Sequence, residues 1–119
     1  TSQIGDIQIS YKTKDKEYIL EGIEYTEPMD ISKCLEEFTL HADAISEMFS
    51  NKVKQRGPTR GKHWADKSKK SWYDTYTFTF PSKDKINVEC YDWSKNVTWV
   101  DHLRTGISSK GFLRFLNNQ

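Results

Sequence analysis

One stretch of apolar residues at helical spacing constrains the fold of this sequence more than any other feature. In residues 30–51, apolar side chains recur every three or four positions, and acidic side chains occupy the opposite side. The apolar positions are Ile31, Cys34, Leu35, Phe38, Ala42, Ile45, Met48 and Phe49. Asp30 precedes them as a suitable N-cap. We therefore predict one long helix that packs through this stripe, in particular Leu35, Phe38, Ala42, Ile45 and Phe49, against another layer.

Segments of alternating apolar and polar residues flank this helix and predict strands. Residues 7–11 and 18–25 form a hairpin whose turn lies at residues 13–16, and Pro28 closes it. After the helix, residues 75–80 and 85–93 form a second hairpin around a turn at residues 81–84. Residues 97–107 fit a helix or a strand, and Gly106 with the β-forming residues Val97, Thr98 and Trp99 favours a strand.

These segments together predict a single α+β domain over residues 1–119. Ser108 or Ser109 can cap a short C-terminal helix that buries Phe112, Phe115 and Leu116. The predicted order is β-β-α-β-β-β-α, a mostly antiparallel sheet of about five strands with one long helix packed on it. Only 35% of residues are apolar, but 13% are aromatic, and aromatic side chains bury large areas. The longest apolar runs fall short of the roughly 18 residues of a membrane span.

Two cysteines are predicted to face the layer between helix and sheet. Cys34 belongs to the apolar stripe, and Cys90 shares a strand face with Ile86 and Val88. We predict that the pair forms a disulfide; the alternative is that both are small buried hydrophobic residues. A disulfide predicts a periplasmic or secreted protein, whereas free thiols predict a cytoplasmic one. Neither position favours a reactive thiolate, which needs exposure and positive neighbours.

The sequence contains no recognisable catalytic, metal or cofactor motif. His41, His63 and His102 are scattered, so we predict no metal site and no cofactor. His102 next to Asp101 could contribute to a hydrolase with a serine brought near, but adjacent residues on a strand point to opposite faces. A polar strand edge is the better interpretation, and an enzymatic function is not expected.

Positive charge is concentrated in residues 52–70, which we predict to be a connecting loop. This segment holds eight Lys or Arg side chains and one acid, Asp66, whereas the other 100 residues hold ten basic and 16 acidic side chains. The candidate binding residues are Lys54, Arg56, Arg60, Lys62, His63, Trp64, Lys69, Lys70 and Trp72. The strand faces around Tyr73, Tyr91 and Trp93 are the next surface to consider.

Three interpretations of the basic segment remain open. It can be a solvated loop whose charges rest partly against the acidic helix, or a contact surface for another protein or an anionic glycan. It can also bind nucleic acid through phosphates and stacked bases. The acidic remainder of the chain argues against nucleic acid as the main partner. We expect a small exported, non-catalytic binding protein, such as an inhibitor or immunity-type protein that blocks a partner macromolecule. The alternative is a nucleic-acid-binding accessory domain that uses the basic segment. A small hydrolase is the third hypothesis. The oligomeric state stays open.

Overall fold

The computed structural model describes residues 6–11, 20–95 and 97–108. Within these ranges the chain forms six strands and one α-helix. The elements are β1 (Asp6–Tyr11), β2 (Leu20–Pro28), α1 (Ile31–Phe49), a short 3-10 turn (Ser50–Lys52), β3 (Lys54–Lys62), β4 (Trp72–Thr79), β5 (Lys85–Asp92) and β6 (His102–Ser108). The architecture is therefore α+β, as predicted.

All six strands form one antiparallel sheet in the order β1-β2-β6-β5-β4-β3. The helix connects β2 to β3, which lies at the far edge, so α1 crosses one face of the sheet. We call this face the helix face and the other the outer face. Asp30 caps the helix as predicted, because its carboxylate accepts a hydrogen bond from the Lys33 backbone N–H at 2.9 Å.

The core lies between α1 and the middle of the sheet. The predicted stripe supplies Phe38 and Ala42, both buried, with Leu35, Ile45 and Phe49 partly buried around them. The sheet contributes Phe78, Ile86, Val88 and Leu103. Cys34 and Cys90 form the expected disulfide, with their Cα atoms 6.0 Å apart. The alternative of two free buried thiols is thus wrong.

The structure corrects the predicted connecting loop over residues 52–70. Residues 54–62 form β3, which pairs along its length with β4, so the sheet has six strands instead of about five. The order over the described residues is β-β-α-β-β-β-β. Unpaired backbone groups on the edge of β4 provide the hydrogen bonds, and the segment needs no apolar pattern to use them.

The remaining predictions are partly met. The strand expected over residues 97–107 is present as β6, but it begins only at His102, and residues 97–101 lie outside regular elements. The short C-terminal helix was predicted in a segment that lies outside the described residues. Within the described ranges, no helix combines the length and the apolar character needed to cross a membrane.

Candidate functional site

An aromatic cluster lies at one end of the outer face. Its members are His63, Trp64, Tyr73, Tyr91, Trp93, Trp99 and His102. Register places Tyr73, Tyr91 and His102 side by side on β4, β5 and β6. The Tyr91 ring stacks with His102 at 4.5 Å and with Trp93 at 5.9 Å between ring centroids. These rings give the sheet a continuous aromatic end.

The ring of His63 joins the strand aromatics to the tryptophans. It lies 4.4 Å from Trp93 and 5.5 Å from Trp64 between ring centroids, and Trp99 lies 4.7 Å from Trp93. Two indoles of this series are exposed to solvent, Trp64 at 87% and Trp99 at 51%. The cluster therefore has a packed middle and an exposed indole at each end.

Residues 63–71, which we call the tryptophan loop, connect β3 to β4 and are held by Asp66. The buried Asp66 carboxylate accepts hydrogen bonds from the Ser68 backbone N–H at 2.9 Å and from its hydroxyl at 2.6 Å. The hydroxyls of Ser71 and Ser94 donate to the other carboxylate oxygen at 2.5 and 3.0 Å. These hydrogen bonds hold the pKa of Asp66 well below its usual value of 3.8, since they favour the ionised form.

Backbone hydrogen bonds close the same loop at its base. The His63 N–H donates to the Ser71 carbonyl at 2.9 Å, and the His63 carbonyl accepts from the Asp66 N–H at 3.2 Å. Lys69 adopts a left-handed conformation with φ of 63° and donates its N–H to the Asp66 carbonyl. Trp64 is thus exposed on a loop whose backbone is fixed on both sides of it.

The edge strand β3 bends at a bulge between Arg56 and Thr59. Gly57 has φ of +115°, and a Cβ there would lie 2.5 Å from the Thr75 carbonyl oxygen, so only glycine fits. The strand also carries Pro58 and four basic side chains, and eight of its nine residues are exposed. Bulges, proline and charge are the devices that keep an edge strand from pairing with another chain. Part of the positive charge therefore has a structural explanation.

Three of the predicted binding residues, Arg60, Lys62 and Trp72, are engaged within the protein. Arg60 donates two hydrogen bonds to the buried Asp74 carboxylate, at 3.0 and 3.1 Å, because the register places the two residues opposite each other. Lys62 lies over the Trp72 ring, 5.5 Å from its centroid. The guanidinium of Arg60 is therefore occupied by Asp74 in this structure, although its side chain stays half exposed.

The other predicted residues are divided between two places. Lys54 and Arg56 are exposed on β3 before the bulge, where the register places them on the outer face. Lys69 and Lys70 are exposed on the tryptophan loop, which also carries Trp64 and His63. The described part of the chain offers no ion pair to Arg56, Lys69 or Lys70. The basic surface is therefore smaller than the sequence suggested, and it is centred on the tryptophan loop.

A charged network occupies the middle of the outer face. Arg104 donates hydrogen bonds to Glu24 at 2.7 Å and to Glu89 at 2.8 Å, and a longer one to the Tyr91 hydroxyl at 3.4 Å. The Arg104 hydrogen bond lowers the pKa of Glu24, and burial raises the pKa of Tyr91 to about 12. One guanidinium thus pairs with two carboxylates, so this network carries a net charge of −1, and the exposed positive charge lies at the β3 edge and on the tryptophan loop.

His102 and Asp101 are not joined in the way a catalytic pair would be. The Asp101 carboxylate accepts from the Trp93 backbone N–H at 2.7 Å, and the Nδ1 of His102 lies 2.9 Å from the Val100 carbonyl. Among the residues described, no group of three or more His, Cys, Asp or Glu is arranged to hold a metal ion. Comparisons with protein-family models, curated proteins and solved structures find no match to this chain.

Proposed function

We propose that this chain is an exported, non-catalytic binding protein that attaches to an acidic surface of a partner protein through Trp64 and the cations around it. The observation that carries the proposal is the exposure of Trp64, 87%, on a loop fixed by the Asp66 carboxylate. A loop that existed only to connect two strands would need neither the fixed backbone nor the exposed indole.

An exposed indole on a rigid loop can contribute a large part of the free energy of binding. Tryptophan is among the residues enriched in interface hot spots, where it fills a pocket on the partner. Because the loop is already ordered, little conformational entropy remains to be lost on binding. Trp64 therefore supplies the apolar anchor of the proposed contact.

The charges next to Trp64 indicate the sign of the partner surface. Lys67, Lys69 and Lys70 are exposed on the same loop, whereas Arg56 lies farther along β3, opposite Thr77. The loop's one acid, Asp66, is hydrogen-bonded by serines and stays ionised, so the three lysines leave the loop with a net charge of +2. The uncompensated positive charge favours an acidic partner and raises the rate of encounter with it. An inhibitor or immunity-type protein that blocks a partner acts through a contact of this kind.

The disulfide supports the exported part of the proposal. Cys34 and Cys90 are bridged, and structural disulfides persist in oxidising compartments such as the periplasm or the extracellular space. The partner would accordingly be met outside the reducing cytosol.

The test is affinity capture from secreted and cytosolic fractions of the source cells with three immobilised proteins. These are the wild type, Trp64→Ala and the matched control Met48→Ala, whose side chain is 72% exposed on α1. We expect one acidic protein to be retained by wild type and control, and about 30-fold weaker binding of that purified protein to Trp64→Ala. Equal affinity of all three for every captured protein would contradict the proposal. Arg60 is left unchanged because its removal would leave the buried Asp74 unpaired.

Nucleic acid is a second candidate, supported by the two exposed indoles at the ends of the aromatic cluster. Bases stack on such rings, and the lysines of the tryptophan loop could contact phosphates. Fluorescence anisotropy with a labelled oligothymidylate tests this candidate, and heparin serves as the anionic glycan probe. Binding to the oligonucleotide that falls steeply with salt and is lost in Trp64→Ala would favour nucleic acid over the acidic protein.

A further inference from the structure

The ring of His63 fixes the tryptophan loop by a hydrogen bond that depends on its protonation state. Its Nδ1 accepts from the Ala65 backbone N–H at 3.1 Å. A backbone N–H only donates, so Nδ1 must carry a lone pair, and the proton of the neutral ring must lie on Nε2. The observed loop conformation is thus that of the unprotonated imidazole.

The groups that face His63 from the neighbouring strands are mostly uncharged. Tyr73 and Tyr91 contact its ring from β4 and β5 at 5.7 and 5.5 Å. Burial lowers the pKa of His63 below its usual value of 6.5; Glu89 of β5 opposes this shift, and His102 of β6 adds to it. Asp66, on the loop itself, contacts His63 through its backbone N–H, and its carboxylate is directed to serines.

We propose that His63 is a pH-sensitive latch that presents Trp64 when the ring is neutral and releases the loop when the ring is protonated. In the protonated imidazole both nitrogens are donors, so the Nδ1–H would face the Ala65 N–H and the hydrogen bond would be replaced by repulsion. Protonation would also place a cation at a partly buried position, which costs solvation free energy. This inference names the regulation of the site described under Proposed function and rests on that function only for its biological meaning.

The direction of the effect follows from the two states of the loop. In the released loop the ring is solvated and has its ordinary pKa of about 6.5, whereas in the closed loop the pKa is lower. The closed loop therefore has its full stability at pH values above the ordinary pKa of histidine, and this stability decreases as the pH falls below that pKa. As the pH falls from the pKa of the open loop toward that of the closed loop, the equilibrium constant for opening should rise about tenfold for each pH unit.

The test is amide hydrogen exchange of the isolated protein by NMR, together with the ring nitrogen shifts of His63, at about pH 7.5 and about pH 5. The readout is the protection factor of the Ala65 amide, corrected for the intrinsic exchange rate. The Val88 amide in the core strand β5 serves as the internal reference for global unfolding. We expect Ala65 protection to fall several-fold on acidification while Val88 protection is unchanged.

Two variants distinguish the latch from a general effect of acid. His63→Asn keeps an acceptor, because Asn Oδ1 bonds the N–H two residues ahead in an Asx turn, but it does not titrate. It should protect the Ala65 amide equally at both pH values. His63→Phe keeps an aromatic ring without an acceptor and should leave Ala65 poorly protected at both. His102→Gln is the control that removes the neighbouring titrating ring and should retain the pH response.

Unchanged Ala65 protection in the wild type through the titration of the His63 ring would overturn the latch. So would a loss of protection on acidification in His63→Asn equal to that of the wild type. Neither result depends on a partner, so failure of the latch leaves the capture experiment intact. Conversely, failure to find an acidic partner would leave the exchange result standing as a property of the loop.

Discussion

The core beneath α1 and the tryptophan loop are ordered by different kinds of interaction. In the core, Cys34, Phe38 and Val88 are at most 4% exposed and are held by apolar burial and a disulfide. In the loop, one buried carboxylate accepts hydrogen bonds from Ser68, Ser71 and Ser94. Apolar burial is non-directional, and hydrogen bonds are directional. The core therefore contributes most of the stability, whereas the loop fixes the position of one exposed side chain.

The largest expected effect is in the core, from Phe38→Ala. The Phe38 ring is 4% exposed and lies 4.8 Å from the Tyr76 ring between centroids, so its removal leaves a cavity that its neighbours cannot fill. The free energy of unfolding should fall by about 3 to 5 kcal/mol. Urea denaturation followed by circular dichroism measures it. An unchanged midpoint would show that the helix stripe does not form the core.

Removing the disulfide with the double substitution Cys34→Ala and Cys90→Ala should cost about 2 to 4 kcal/mol. The two residues are 56 positions apart, which places the entropic effect on the unfolded chain toward the upper end of that range. Chemical denaturation of the double variant beside the wild type gives the difference. Equal stability of the two proteins would mean that the covalent link is dispensable to the core.

A smaller effect on stability, dependent on pH, is expected for Asp66→Asn. The pKa of Asp66 is lowered in the folded protein, so its contribution to stability is present above the ordinary value of 3.8 and is lost as the pH falls below it. The wild type should lose stability in that range, and the variant should be less stable above it with a flatter acid profile. Thermal melts between about pH 7 and about pH 3 provide the comparison. Parallel profiles would remove Asp66 as the organiser of the loop.

The smallest effect on stability is expected for Trp64→Ala, although its effect on binding is expected to be large. Because the side chain is 87% exposed, its removal should change the free energy of unfolding by less than about 0.5 kcal/mol. The same denaturation assay measures this change. A loss comparable to that of Phe38→Ala would show that the indole packs on the protein in solution, and the division between a stabilising core and a presenting loop would fail.

The elements that could be predicted from the sequence are those with a local pattern. The stripe of α1 and the alternation in β5 placed Cys34 and Cys90 on facing surfaces, and the disulfide followed. The strand β3 could not be predicted in this way, because both of its faces are exposed and its sequence carries no apolar alternation. Its strand conformation depends on the free edge of β4, a neighbour that only the sheet order reveals.

The candidate site was predicted only in part for the same reason. Charge and aromatic content pointed to His63 and Trp64, but the pairing of Arg60 with Asp74 depends on the strand register. The role of Asp66 in ordering the loop could have been predicted from a local sequence pattern. An Asp followed two residues later by Ser is a common Asx-turn pattern, and here Asp66 accepts from the Ser68 N–H.

The sheet order determines which strands can pair while the chain is still being synthesised. Strand β2 pairs with β6, from Gly22 opposite Ser108 to Pro28 opposite His102, so β2 lacks one of its two neighbours until nearly all of the described chain has been synthesised. While the chain is being synthesised, one edge of the first hairpin therefore stays unpaired. An unpaired strand edge can pair with another nascent chain and so promotes aggregation. Cys34 likewise cannot form its disulfide until Cys90 has been synthesised, so the correct disulfide forms late. Oxidation before β5 emerges would join Cys34 to a thiol of another molecule.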